Sequence, residues 1–546
     1  MTARDKFLVV ALIGLLAVVS GAAIAIERTG TVQIAPANGG TYVEGVVGVP
    51  QYLNPVLAAT QLDQDAVRLA FSGLSRFGRD GAVEPDLAAS FQTDVEGKVW
   101  TFTIRDDARW HDGQPVLADD VVYTVSLLQD KAYVGPYSDA FRGVKVEKVS
   151  ARVVHFVLPD AYGPFAASTT VPLLPAHILS SVEYATLPRV AFNQRPIGTG
   201  PFRVVEADAR QVVLQHADDF YRSKPDHTRP YLDRIVLRSY PDASEALTAL
   251  GRGEIDGVGG LSTGDAERAR ALKNVALYSF GTNDFTALFL NVRPEKATFR
   301  DKAVRQAIAT AIGRGRVLQE AADGRGTVAE EFVPPTSWAY VKDITRYAHS
   351  YEDARAMLDA ADWKDHDGDG VRDKGATKLA FAITTSNEAP RVVAALQIAD
   401  DLKAIGMRVE VKTMPFGELT EKAARERTYD ALLIGVTISG DPDPYSFFHS
   451  SEIADPGHNF SGYFTLPNDR NLEAARRTTD RAKRRELYAP VFQAIATDAP
   501  VVFLYFSDYL YAQSKQVQGL KIAPIVEPRE RFWNVEEWYA KTIARR

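Results

Sequence analysis

The sharpest alternation of apolar and polar positions lies between residues 378 and 436. Residues 378–385 (KLAFAITT) form a short apolar run of strand length. From Pro390 to Ile405, the residues Val392, Leu396, Ala399 and Leu402 recur on one helical face, and Gly406 supplies a stop. Residues 407–412 (MRVEVK) alternate as a strand, residues 418–427 read as a polar helix, and residues 429–436 (YDALLIGV) read as a buried strand. This β-α-β-α-β order predicts parallel strands joined by right-handed crossovers. Ligands in such sheets sit beyond the carboxyl ends of the strands. That rule points at Ser386 and Asn387, and at the loop over residues 437–441 with Ser439, Gly440 and Asp441.

Elsewhere the same reasoning predicts a half-buried antiparallel strand over residues 98–105, with Trp100, Phe102 and Ile104 on one face and Thr101 and Thr103 on the other. Val304, Ile308, Ala311 and Ile312 predict one amphipathic helix over residues 300–322. Residues 472–496 read as mostly helical with a break or kink at Pro490, and residues 500–506 (PVVFLYF) as a buried strand. Strand-like and helix-like segments alternate throughout, which predicts an α/β or α+β class.

The N-terminus is patterned differently. Arg4 and Lys6 precede a run from Phe7 to Ile26 that is apolar apart from Ser20 and stops at Glu27 and Arg28. Twenty residues at about 1.5 Å each just span a hydrocarbon layer of roughly 30 Å. Ala23-Ile24-Ala25 also fits the small-x-small cleavage rule. Residues 1–28 are therefore expected to be a signal peptide or a transmembrane anchor, and residues 29–41, rich in Gly, Ala and Thr, a linker. The anchor is the favoured reading, because a secreted capture protein without a cysteine to carry a lipid still needs tethering where no outer membrane retains it.

The chain has 546 residues, too many for one hydrophobic core. Its net charge of -7 is mild and no basic stripe is present, so nucleic acid is not an expected partner. The lack of cysteine excludes disulfides, thiolate metal sites and a cysteine nucleophile. None of the nine histidines forms an HExxH pair, and no GxSxG or Walker sequence occurs.

Five stretches carry more specific information. They are residues 86–128 around Trp110-His111-Asp112-Gly113, residues 195–206 (RPIGTGPFRVVE), residues 289–317, residues 363–372 (WKDHDGDGVR), and residues 441–448 (DPDPYSFF). In this order they resemble the peptide/nickel-binding family of ABC-importer solute receptors, the oligopeptide- and dipeptide-binding proteins. Asp362 stands where that family's pattern has a glycine. The resemblance runs from about Tyr42 to Ile522.

It implies a two-lobe α/β fold of the periplasmic-binding-protein type (type II, large class with an extra inserted subdomain), preceded here by the N-terminal hydrophobic helix. Residues 42–71, 196–292 and 507–546 would form lobe I, residues 72–195 the inserted subdomain and residues 293–506 lobe II. Ligand would be enclosed between the lobes. The segment Phe280-Gly281-Thr282-Asn283-Asp284-Phe285 is placed just before a lobe-crossing strand, so Phe280 and Phe285 are expected as apolar wall and Asn283 and Asp284 as polar contacts. Plain core packing is the competing reading for the two phenylalanines.

Each motif also has a plain structural reading. Gly198-Thr199-Gly200-Pro201 lacks the lysine and helix of a phosphate loop and reads as a tight turn. Trp110-His111-Asp112-Gly113 has no partnering nucleophile segment and reads as turn chemistry. Asp365, Asp367 and Asp369, followed by Asp373, match the start of a structural calcium loop, but position twelve is Ala376 rather than Glu, and a solvated Asp/Gly turn is the ordinary reading. The loop Asp441-Pro442-Asp443-Pro444-Tyr445 follows a buried strand and reads either as plain turn chemistry or, from its place at the strand's carboxyl end, as cleft wall with Tyr445 facing ligand. Peptide-binding members of the family carry an acidic residue about three positions before the Asp-Pro pair and a tryptophan somewhat earlier. Those positions fall here on Ile438 or Gly440 and on Gly435 or Thr437, none of which can play the part, so the chain departs from the peptide-binding pattern here and Asp441 or Asp443 would have to substitute as the carboxylate offered to a ligand amine.

The resulting expectation is a monomeric, extracytoplasmic receptor, membrane-anchored or periplasmic. It would capture short peptides without catalysis and deliver them to ABC permease subunits with their ATPases. A nickel-chelate or other small-solute receptor is the alternative within the class. A membrane-tethered sensor or peptide-holding chaperone is the alternative outside it. Apart from the possible structural calcium, no cofactor is expected.

Overall fold

The computed structural model describes residues 33–135, 137–218, 220–222 and 229–545. The predicted N-terminal hydrophobic helix, residues 7–26, and the first part of the linker lie outside the described residues. Among the described residues, no helix is long and apolar enough to cross a membrane.

One mixed sheet organises the molecule. Its strands are β1 (Thr41–Val47), β2 (Phe202–Ala207), β3 (Gln211–His216), β4 (Arg234–Tyr240), β5 (Gly257–Gly259), β6 (Val275–Leu290), β7 (Ala380–Ser386), β8 (Arg408–Met414), β9 (Ala431–Thr437) and β10 (Val501–Ser514). They lie in the order β8-β7-β9-β6-β10-β5-β1-β4-β3-β2, and Thr327–Val328 adds a further short strand against β10. β7 pairs in parallel with β8 along its length and with β9 from Ile383 to Thr385. The parallel reading of residues 378–436 therefore holds.

The uninterrupted apolar run of β9 follows from burial on both faces. Ala431 and Leu433 enter one core with Ile398 and Leu402 of the helix Ala389–Lys403. Leu432 and Ile434 enter another with Phe492 and Phe503. The first lobe has its own cores, one built around Tyr42, Phe202, Leu237 and Trp538, the other around Leu247 and Leu250.

β6 and β10 join the two lobes. They pair antiparallel from Val275 opposite Ser514 to Phe289 opposite Val501. β6 meets β9 of the second lobe from Asp284 onward, and β10 meets β5 of the first lobe at Tyr511 to Gln513. Their register slips between Gly281 and Phe285 and again at Thr286, where the ladder passes from one lobe to the other. Such irregularities bend and twist a strand pair locally.

Residues 88–157 build a separate four-stranded antiparallel sheet. Its strand Val99–Ile104 buries Trp100, Phe102 and Ile104 and half-exposes Thr101 and Thr103, matching the predicted alternation. The turn at His111 packs on the Gly198–Gly200 turn. His111 Nε2 donates to the Gly200 carbonyl at 2.9 Å and Nδ1 accepts from the Gly198 amide at 3.2 Å. A Cβ at Gly198 would stand 1.8 Å from the Ala70 carbonyl oxygen, so glycine is required by close backbone approach. Both motifs are turn architecture.

Two helical expectations change. Residues 300–322 form two helices, Lys302–Ala311 and Arg314–Ala322, because Ile312 is extended and the buried Asp401 carboxylate holds the Gly313 amide at 2.8 Å. Residues 472–496 belong to Leu466–Arg476 and Arg481–Asp498, and the interruption falls at 477–480 rather than at Pro490. Asp480 caps the second helix through the amides of Ala482 and Lys483, whereas Pro490 sits inside it, where it removes one backbone donor.

Candidate functional site

A cavity of about 780 Å³ lies between the lobes. One wall is the loop after β9 with Ser439, Gly440, Asp441 and Tyr445, and the helix Leu466–Arg476 with Glu473 and Arg476. Facing it are Phe77, Tyr137, Asp139, Arg142 and Tyr162 from the region carrying the small sheet. The C-terminal segment closes the floor with Val526, Glu527, Arg529 and Glu530. Its volume is in the range of sites that enclose a small ligand.

The acidic loop is internally neutralised. Arg484 donates to both oxygens of Asp441, at 2.7 and 2.5 Å, and also to the Tyr488 hydroxyl at 2.8 Å. Burial opposes the charge of Arg484, but Asp441 and Tyr488 more than offset it, and its pKa is raised. Arg476 donates to Asp443 at 2.6 Å, while burial still holds the Asp443 carboxyl above its usual range. The Arg476 guanidinium lies 3.6 Å from the Tyr445 ring centroid and 5.6 Å from that of Tyr162. Tyr445 in turn stacks on His449 at 4.1 Å. Asp441 and Asp443 thus both face arginines of the helices behind the loop. The expectation that Asp441 offers an open carboxylate to a ligand amine is corrected accordingly: its oxygens are already committed to Arg484.

The walls touch around the cavity. The Gly163 amide donates to the Arg476 carbonyl at 2.6 Å, and Arg481 donates to the Gly81 carbonyl at 2.6 Å. A Cβ at Gly163 would stand 2.0 Å from the Thr478 carbonyl oxygen, and one at Gly440 would stand 2.1 Å from the Phe77 ring. These glycines admit the close approach of the two walls.

The other residues singled out in the sequence separate into groups. Asn283 lines a recess of about 80 Å³ with Gly440, Ile438 and Trp338. Ser386 and Asp284 line a different recess, of about 240 Å³, with Glu388, Arg391 and Thr437 at the carboxyl ends of β7 and β9. Burial raises the pKa of Asp284. Asn387 is exposed and lines neither recess nor the main cavity. Phe280 and Phe285 are not pocket wall. Phe280 packs on Tyr509 and Tyr511, and Phe285 on Phe332, Phe503 and Phe506, because the segment lies inside β6 with both rings turned into the cores.

The aspartate-rich turn lies outside all of these linings. Asp365, Asp367 and Asp373 bring carboxylate oxygens within 4.8 Å of one another. Asp369 falls outside that group, and Lys378 pairs with it at 2.5 Å and with Asp367 at 2.7 Å. Asp365 receives the amides of Gly368 and Gly370, and Asp373 pairs with His366, as in a self-contained turn.

Tyr137, Tyr162, Arg476 and the 526–530 segment were not singled out in the sequence. They come from three distant parts of the chain, and periodicity carries no signal for such convergence. The dense charge of Glu527-Pro528-Arg529-Glu530-Arg531 next to an apolar stretch was the visible trace.

Comparison with known proteins fits this architecture. The family model described as "Bacterial extracellular solute-binding proteins, family 5 Middle" matches residues 82–457. The chain is 31% identical over 513 residues to the oligopeptide-binding protein AppA of Bacillus subtilis, covering 92% of each chain. The solved structure of that protein in complex with a nonapeptide superposes with a TM-score of 0.70 at 30% identity, over 92% of this chain and 99% of that one. NikZ of Campylobacter jejuni in complex with Ni(L-His) superposes with a TM-score of 0.71 at 27% identity, over 91% and 99%. The fold is the two-lobe α/β fold of periplasmic-binding-protein type.

Proposed function

We propose, from the premise that the chain belongs to the family 5 bacterial extracellular solute-binding proteins, that it captures short peptides outside the cytoplasm and delivers them to an ABC importer. The observation that carries this reading is the 780 Å³ cavity enclosed by both lobes, in a chain whose similar relatives include a receptor solved with a nonapeptide. The protein acts as a receptor without catalysis.

Capture works by closure. β6 and β10 cross between the lobes and slip register at the crossing, which supplies the hinge. Ligand binding favours the closed arrangement only through contacts made to both walls at once. Tyr137, Tyr162 and Tyr445 offer flat faces with hydroxyl groups, and Arg476 and Arg529 offer donors from one wall and from the floor. Such a lining suits a chain whose main-chain groups are held while its side chains vary. A nickel-chelate reading has less support. No histidine occurs among the described residues lining the cavity.

Membrane attachment belongs to the same proposal. The run from Phe7 to Ile26 would keep the receptor beside its permease, and a chain begun at Thr29 should be soluble and still bind. Calorimetric titration of that shortened chain with short peptides, beside a nickel–histidine chelate, tests the reading. Saturable heat with peptides and none with the chelate supports it. Binding of the chelate alone would transfer the protein to the other branch of its family.

A further inference from the structure

Phe77 stands where three spaces meet. It lines the main cavity, the recess of about 80 Å³ that holds Asn283 and Trp338, and a side recess of about 120 Å³. It ends a short strand, Ser75–Phe77, that pairs antiparallel with Val83–Pro85. Across the gap lies Gly440, on the loop after β9. A Cβ there would stand 2.1 Å from the tip of the Phe77 ring. The φ of Gly440 lies outside the left-handed region, so the glycine answers to space rather than to backbone conformation. Val526 and Glu530 of the floor complete the boundary, since they too line both the main cavity and the 80 Å³ recess.

Core packing does not account for this ring. Phe77 is half-buried and belongs to none of the four apolar cores. Space continues on its far side, where Asn283 and Ser337 bring polar groups and Trp338 and Ile438 apolar surface. A phenylalanine with room on both sides acts as a wall between them.

The chamber in front of the ring is short. A sphere of 780 Å³ is about 11 Å across, which an extended chain crosses in about three or four residues. A nonapeptide would need about 30 Å. A longer chain has to leave between the walls. At Gly163 that path is shut by backbone, because its amide donates to the Arg476 carbonyl at 2.6 Å and a Cβ would stand 2.0 Å from the Thr478 carbonyl oxygen. At Gly440 it is shut by one side chain, that of Phe77.

We infer that Phe77, closing on Gly440, is the partition that limits the captured peptide to about four residues, and that the recess behind it is an extension the partition withholds. The inference rests on the peptide reading above. The ring excludes the next residue sterically, so it discriminates by length and not by side-chain type.

Affinity is measured by calorimetric titration for one repeating Gly-Ala sequence at every length from dipeptide to nonapeptide, using wild type, Phe77→Ala and Phe77→Leu. Wild type is expected to bind up to the tetrapeptide and to lose about tenfold or more in affinity by the hexapeptide. Phe77→Ala should bind the tripeptide within about threefold of wild type, which proves it folded. It should also move the fall to peptides longer by about one or two residues. Phe77→Leu, which keeps an apolar side chain in place, should lie between the two and carries the same comparison should Phe77→Ala not fold. Tripeptide binding with the fall unmoved in both variants overturns the partition. Wild type that holds the nonapeptide as tightly as the tripeptide overturns the length limit and leaves the peptide reading standing. Wild type that binds no length overturns the peptide reading itself.

Discussion

Arg484 grips both carboxylate oxygens of Asp441, at 2.7 and 2.5 Å, on the wall of the interlobe cavity. The guanidinium is 3% exposed and the carboxylate 14%, so each needs the other. Removing one charge strands its partner in a poorly solvated place. Arg484→Gln is expected to cost about 3–5 kcal/mol of stability. Arg484→Gln with Asp441→Asn should cost less than the sum of the single changes, by about 1–3 kcal/mol. Urea unfolding of the four proteins reads this coupling. Strict additivity would show that the pair carries no such dependence.

Gly163 and Thr478 meet without room for a side chain. Gly163→Ala should leave each lobe folded but hold the walls apart, since the obstacle is backbone. Its ligand affinity should fall by tenfold or more, about 1.4 kcal/mol, with an unliganded melting temperature near wild type. Unchanged affinity would mean that capture does not use this contact.

His111 is held neutral by its place between two turns. Burial lowers its pKa to about 4, against the usual 6.5, and the Gly198 amide needs Nδ1 as an acceptor. The unfolded chain takes up a proton near pH 6.5 that the folded chain refuses until about pH 4. The stabilisation is therefore complete above about pH 6.5 and shrinks as pH falls toward 4. Melting temperature should fall over that window in wild type, and less steeply in His111→Gln. Equal slopes would remove His111 as the cause.

Glu331 works in the opposite direction. Burial pushes its carboxyl up to about 8, and one of its oxygens has no partner while the other accepts the Val341 amide at 2.9 Å. Above the ordinary value of 4.5 the unfolded chain loses a proton that the folded chain keeps, so stability falls as pH rises toward 8. Glu331→Gln should be more stable than wild type at about pH 8, with the gain shrinking toward about pH 5. A gain independent of pH would point to packing instead.

The parallel unit was legible because β9 carries an unbroken apolar run and β8 a clean alternation, each matching one kind of burial. The carboxyl-end rule then led to Ser439, Gly440 and Asp441, which do line the cavity. Phe280 and Phe285 misled because an aromatic pair looks the same in a pocket wall and in a core. The helix break at Gly313 was hidden, since it depends on Asp401, a residue 88 positions away.

Peptide capture is tested most directly by what the receptor already holds. The chain from Thr29 onward, purified from cells without added ligand, is examined by native mass spectrometry and then denatured, and the released molecules are sequenced. Short peptides bound one per chain, and able to rebind the emptied protein, are the predicted result. A released nickel chelate or another non-peptide solute, together with failure of peptides to rebind, would contradict the assignment.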